Sequence, residues 1–225
     1  MITKAALREL REFHSRVHAC TQCFGAEGCD METDPRRVDR QLPTSLIGCE
    51  VMLLGEALGP GTQRLSGLPY LQTDGTLRST GRTLDTFLAG FGYTIQPDGD
   101  RQYAYSSDLV RCVPLLSPAR KKLRSPTRQE STNCFPWLAI ELPIVQPRVL
   151  VLLGAHATRA FFRVCLGMSV ARLIDVVGGP YAARIGDVAF EAFAIQHPSP
   201  LASGSTRKEV YASVSSDIAS TIATY

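Results

Sequence analysis

Two apolar runs closed by glycine constrain this chain more than any other feature: VMLLG at 51–55 and VLVLLG at 149–154. Both are too short for a buried helix and have no alternating polar positions, so each reads as a strand buried on both faces. Such strands need helices above and below them, which is the requirement of a parallel sheet. The helices are legible nearby. Ala5, Leu7, Leu10, Phe13 and Val17 recur near a 3.6 period, as do Leu84, Phe87, Leu88 and Phe91. AHATRAFFRVCLG follows the second run at once, and TRKEVYASVSSDIASTIATY reads as an amphipathic closing helix. YAYSSDLV at 103–110 is a further strand, and residues 174–196 hold two short ones, the second running into HPSP. The expected fold is α/β, a three-layer α/β/α sandwich around a central, mostly parallel sheet. A single domain is expected over 1–225, with 18–48 an irregular, cysteine-bearing N-terminal segment within it.

The composition, 44% hydrophobic over 225 residues, is enough for a full-sized core. No apolar run is long enough to cross a membrane, and the first twenty residues are studded with charges rather than built like a signal peptide. A cytoplasmic protein is expected. Its net charge of +3 permits a polyanionic partner without demanding one. Seven cysteines without a secretory signal point to metal binding rather than a disulfide framework.

Cys20 and Cys23 form a C-x-x-C pair, spaced to bind one metal centre from a single turn. Cys112 and Cys134, in RCVP and NCFPW, either return to the same corner or are buried apolar residues. Four thiolates suit zinc or an iron-sulfur cluster, and spacing does not separate the two. Cys29, Cys49 and Cys165 are spare, with Cys29 the nearest substitute ligand. In a doubly wound sheet, sites gather at the carboxyl ends of the strands. Those ends are GEALGPG, DLVRC, GAHA and QHPSP, carrying Glu56, Asp108, His156 and His197. His156 reads as a helix-start residue; the other three are the candidates for catalysis.

Taken in order, these pieces resemble the iron-sulfur, family-4 type of uracil-DNA glycosylase. The resemblance rests on the C-x-x-C after an N-terminal helix, GEALG at 55–59, GLPY at 67–70 and DLVRCVP at 108–114. It continues through ESTNCFPWL at 130–138, PRVLVLLG at 147–154 and HPS at 197–199. It implies an enzyme that flips a base out of DNA and hydrolyses its N-glycosidic bond. It also implies a structural [4Fe-4S] cluster on Cys20, Cys23, Cys112 and Cys134. His197 would donate a hydrogen bond to O2 of the departing base, and Glu56 would orient water or stabilise the cationic sugar. Tyr70 would stack on the flipped base, with Ala57 beside it. The basic stretch from Arg111 to Arg128, with Arg120, Lys121 and Lys122 at its centre, would grip phosphates, together with Ser199 and Ser203. DNA is then the partner, with no membrane and no obligate protein partner. The strand-end loops hold no lysine, which favours monofunctional hydrolysis.

The chain departs from this pattern at Asp108, where the family carries asparagine. An amide offers a donor and an acceptor to uracil, whereas an ionised carboxylate only accepts and would oppose O4. Cytosine presents the opposite edge, an N4 donor beside an N3 acceptor, which a carboxyl group can match. Leu58 replaces a proline after GEA, and YLQTDGTLRS lengthens the link after GLPY, reshaping the pocket near the C5 side of the base. Removing ordinary cytosine would destroy the host genome, so the expected target is a modified cytosine, such as a hydroxymethylated or glucosylated base in phage DNA, in an anti-phage role. The rivals are a conventional uracil glycosylase, an iron-sulfur DNA-binding module without catalysis, and a zinc-stabilised metabolic enzyme.

Overall fold

The computed structural model describes residues 4–29, 49–58, 69–72, 74–96, 100–117, 122–199 and 207–224. Four strands run parallel: β1 (Val51–Ala57), β4 (Tyr105–Val110), β7 (Val149–Leu153) and β9 (Val188–Ile195). With β8 (Gly178–Ile185), antiparallel to β9, they make a five-stranded sheet in the order β4-β1-β7-β9-β8. Two short pairs lie outside it: β2 (Tyr93–Thr94) with β3 (Gln102–Tyr103), and β5 (Leu115–Ser117) with β6 (Lys122–Leu123). The helices are α1 (Lys4–His18), α2 (Ser79–Ala89), α3 (Arg128–Val145), α4 (Ala155–Cys165) and α5 (Arg207–Ala223).

The apolar runs have helices on both sides for the reason the sequence predicts. Strand side chains alternate between faces. Met52 and Leu54 of β1 meet Leu10 of α1, Leu138 and Leu142 of α3, and Phe161 and Phe162 of α4. Val51 and Leu53 meet Leu84 and Leu88 of α2 and Tyr211, Val214 and Ile218 of α5. The mostly parallel three-layer arrangement is therefore the one expected. The pair of strands within 174–196 is longer than expected, a hairpin with eight residues in each arm.

Periodicity does not mark α3, because Pro136 and Pro143 interrupt it. Its start is nonetheless well defined by a capping box. Thr127 Oγ1 accepts from the Glu130 amide at 3.1 Å, and Glu130 Oε2 accepts from the Thr127 amide at 2.8 Å. The helix is bound to the sheet by a buried ion pair. Arg111, just beyond β4, donates to Glu141 Oε1 at 3.1 Å and Oε2 at 2.6 Å. Tyr105 Oη and Ser107 Oγ each donate to the same carboxylate at 2.7 Å. The Arg111 guanidinium also lies over the Phe13 ring, 5.6 Å from its centroid.

Because Glu141 is wholly buried, removing it leaves an uncompensated guanidinium inside the protein. Glu141→Ala is expected to destabilise the fold by roughly 3–5 kcal/mol, measured by urea unfolding, with Glu141→Gln falling between it and the wild type. A wild-type midpoint for Glu141→Ala would contradict a sealed ion pair.

Candidate active site

The alternation that builds the two cores also sorts the strand-end residues. Along β4, Tyr105 and Leu109 face the core shared with α3, so Asp108 points to the opposite face, toward α2 and α5. Asp108 is only 5% exposed. It pairs in register with Gly55 of β1, whose Cα faces the Asp108 carboxylate so closely that no side chain fits at that position. On β9, Phe193 and Ile195 belong to the α2 and α5 side, and His197 continues that face beyond the strand. The Asp108 carboxylate acts electrostatically on His197 along the strand ends of that face.

His197 is fixed from two sides. Its Nδ1 accepts from the Ser199 amide at 3.1 Å, which leaves the proton of the neutral ring on Nε2 as a free donor. Behind it stands Gly154 at φ +88, where an added Cβ would come within 2.9 Å of the His197 Cβ. The glycine that closes the second apolar run is thus the seat of the histidine. Burial lowers the His197 pKa, against the opposing effect of Asp108, so the ring is held neutral.

Tyr70 packs against the same core. Its φ of +67 is unusual for a bulky residue, a strained conformation that collects at functional sites. Two contacts among the described residues help to hold it. The Tyr70 carbonyl accepts from the Arg78 amide at 2.9 Å, and Gly81 leaves room where a Cβ would lie 2.7 Å from that carbonyl.

Glu56 lies apart from this group. It occupies the opposite face of β1, where its Oε1 is 3.6 Å from His156 Nδ1 and makes no hydrogen bond among the described residues. His156 Nε2 in turn lies 3.3 Å from Ser125 Oγ. Asp108 and His197 therefore face one side of the sheet, with Tyr70 packed on the core of that side, and Glu56 meets His156 on the other. His156 is more than the helix-start residue that the sequence indicates. The available signal was its position at a strand end, one residue after the turn into α4.

The cysteines divide as well. Cys23, Cys112 and Cys134 are buried together with Val110, and Cys29, Ala57 and Trp137 pack against them. Cys23 and Cys134 share a hydrogen bond, and Asn133 Nδ2 reaches Cys23 Sγ at 3.7 Å and Cys29 Sγ at 3.4 Å. Donation from Cys134, aided by Asn133 and Cys29, lowers the Cys23 pKa to about 6, while Cys134 is pushed up and keeps its proton. Cys20 is half-buried and has no thiol partner among the described residues. Cys29 is therefore better placed beside Cys23 than its description as spare implies. Among the described residues, no group of three or more His, Cys, Asp or Glu side chains is arranged to hold a metal ion. Burial pushes Cys49 and Cys165 up to about 12, which marks both as inert packing.

The basic stretch between Arg111 and Arg128 is not one surface. Arg111 is buried against Glu141, and Arg124 is bidentate to Glu130 at 2.7 Å for both nitrogens, so neither is available to a phosphate. Arg120, Lys121 and Ser203 lie outside the described residues, as does the side chain of Lys122. Ser199 is half-buried, and its carbonyl accepts from Arg207 at 2.9 Å.

A family model described as the uracil DNA glycosylase superfamily matches residues 44–217. A type-4 uracil-DNA glycosylase of Pyrobaculum aerophilum is 28% identical over 149 residues, 66% of this chain and 66% of its own length. A type-4 uracil-DNA glycosylase of Sulfurisphaera tokodaii is 25% identical over 150 residues, 67% of this chain and 60% of its own. A type-5 uracil-DNA glycosylase of Pyrobaculum aerophilum is 33% identical over 107 residues, 45% of this chain and 44% of its own. The matched region thus spans 60–66% of the length of these type-4 relatives.

The lowered His197 pKa has a definite sign in stability. Its contribution is complete above the unfolded value of about 6.5 and is lost as pH falls through the folded value, because the unfolded chain takes up the proton first. Acidification below neutrality should therefore destabilise the wild type more than a His197→Asn variant. An NMR titration placing the folded His197 pKa above that of a free histidine would contradict this.

Proposed function

The chain belongs to the uracil DNA glycosylase superfamily, and we propose that it is a DNA glycosylase whose target is a modified cytosine. The observation that carries this reading is Asp108, a buried carboxyl group at the end of β4 on the face that also carries His197. A carboxylate accepts from the N4 amino group of cytosine, and a protonated carboxyl also donates to N3. Against uracil, the carboxylate would place an acceptor opposite the O4 acceptor. A host needs ordinary cytosine left alone, so the target carries a substituent, such as the hydroxymethyl or glucosyl group of phage DNA, and the role is defence.

In the proposed reaction, water attacks C1′ of the flipped nucleotide and the C1′–N1 bond breaks, its electron pair passing to the base. The proton on His197 Nε2 forms a hydrogen bond to O2 of the departing base, where negative charge gathers. Glu56, at the end of β1 with its Oε1 3.6 Å from His156 Nδ1, accepts a hydrogen bond from the attacking water and takes its proton. Tyr70, held in its strained conformation, stacks on the base with Ala57 beside it. Arg120, Lys121, Lys122 and Ser199 contact the backbone phosphates.

The same proposal includes a [4Fe-4S] cluster on Cys20, Cys23, Cys112 and Cys134, with Cys29 as the alternative to Cys20. Support comes from the gathering of the buried thiols and the lowered Cys23 pKa, since the thiolate is the ligand form. When bound, the cluster is structural and takes no part in excision; the cysteines tie the segment after α1 to the end of β4 and to α3. A second reading, excision of uracil, is favoured by the similarity to type-4 uracil-DNA glycosylases.

Base release from matched duplexes containing uracil, cytosine, 5-hydroxymethylcytosine or its glucosylated form separates the two. Release is expected only from a modified-cytosine duplex, with Asp108→Asn shifting activity toward uracil. Release by the wild type from uracil alone would sink the cytosine assignment. His197→Ala should lower kcat by about 10²–10³ on whichever base is released. Protein purified without oxygen should contain iron and acid-labile sulfide, both diminished in Cys134→Ser; a zinc-only protein would exclude the cluster.

A further inference from the structure

The cavity between the start of α3 and the outer face of α4 carries a charge pattern that the fold alone does not explain. It encloses about 160 Å³ and is lined by Glu56, Arg128, Ser131, His156, Arg159 and Arg163, among others. Arg159 and Arg163 stand four residues apart along α4, where like charges repel, and His156 lies three residues before Arg159. Arg128, the first residue of α3, faces them across the cavity. Among the described residues, the Arg128 and Arg163 guanidiniums make no hydrogen bond or ion pair. Arg159 donates one N–H to the Ala171 carbonyl at 2.5 Å. Glu56 supplies the single carboxylate of the lining, and it is already opposite His156. The hydroxyl of Ser131 is committed to the Thr127 carbonyl at 3.1 Å, so the lining offers charge rather than neutral donors.

Three guanidiniums around one carboxylate leave an excess of positive charge in a concave site. Both helices begin there, and the first turn of α4 has neither an acidic residue nor a side-chain cap. Arg128 stands at the start of α3, where a cation opposes the helix dipole, and an anion held in the cavity offsets that repulsion. The forked donors of arginine match the oxygens of a phosphate. Glu56 connects this cavity to the crevice, because it stands at the end of β1 next to Gly55 and hence to the Asp108 corner.

We propose that this cavity seats one backbone phosphate of the DNA strand whose nucleotide enters the crevice. The proposal rests on the reading of the chain as acting on DNA. It makes Arg128, Arg163 and Arg159 a phosphate subsite, with His156 beside the Glu56 carboxylate at its edge.

The test is equilibrium binding of the cluster-containing protein to a fluorescent duplex with a stable abasic analogue, measured over a series of salt concentrations. The Arg128→Gln/Arg163→Gln double variant is expected to bind about tenfold more weakly at low salt. Its slope of log K against log salt should be shallower by about 1, the loss of one phosphate contact. Arg163→Lys should restore part of the affinity. Unchanged affinity and slope, in a variant whose melting temperature matches the wild type, would overturn the proposal. So would heat of binding to inorganic phosphate that the double variant loses while its DNA slope stays wild type, since that assigns a free-anion pocket. The readout is binding, so a protein that releases no base overturns the glycosylase reading and leaves this result intact. Wild-type protein with no affinity for the duplex overturns both.

Discussion

The Arg111–Glu141 ion pair is the joint on which the functional end of the molecule depends. Five residues at the end of β4 carry three different jobs: Asp108 faces the crevice, Arg111 turns inward to α3, and Cys112 joins the thiols. The Arg111 amide also donates to Cys134, so one residue contacts α3 through both its side chain and its backbone. A buried ion pair seldom adds net stability over a well-packed apolar pair of the same volume. What it supplies here is placement. Four hydrogen bonds converge on one carboxylate, from Tyr105 and Ser107 within the strand and twice from Arg111 beyond it. An apolar substitute would fill the volume without fixing where the strand ends.

The two faces of the sheet divide the chemistry. One face collects the neutral, donor-bearing His197, the buried Asp108 and the strained Tyr70; the other collects Glu56, His156 and the arginines of α3 and α4. That division follows from the period of two along β1, which sends Gly55 one way and Glu56 the other. Glycine at 55 is then more than a strand terminator. Any side chain there would collide with the Asp108 carboxylate, so the small residue on one strand makes space for the acidic one on the next.

Much of this was legible in the sequence because it depends on local pattern. Uninterrupted apolar runs imply two buried faces, and the glycines closing them mark the edge where ionisable residues gather. Burial of Asp108 and its proximity to His197 followed from that rule and from the ordered motifs. Other features depended on partners far along the chain. Nothing in the text of RCVP distinguishes an arginine that grips phosphate from one sealed against Glu141, and Arg124 is likewise claimed by Glu130. The helix α3 was obscured by Pro136 and Pro143, whose effect on periodicity is overridden by packing of Leu138 and Leu142. Cys29 is brought beside Cys23 and Asn133 by loop geometry that no spacing rule expresses. The pairing of Glu56 with His156 needed β1 and α4 to be set side by side first.

The strand order has a consequence for when the thiol corner can exist during synthesis. β1 sits between β4 and β7, and β7 needs β9, so the centre of the sheet is completed by strands from the last third of the chain. The contact of Asn133 with Cys23 joins residues 110 positions apart, and such closures are made late because loop entropy must be overcome before the contact can form. An emerging chain therefore displays its C-x-x-C segment long before the residues that bury it have left the ribosome. During that interval its first cysteines remain open to solvent, and the return of α3 then shields Cys23 from oxidants and stray metal ions.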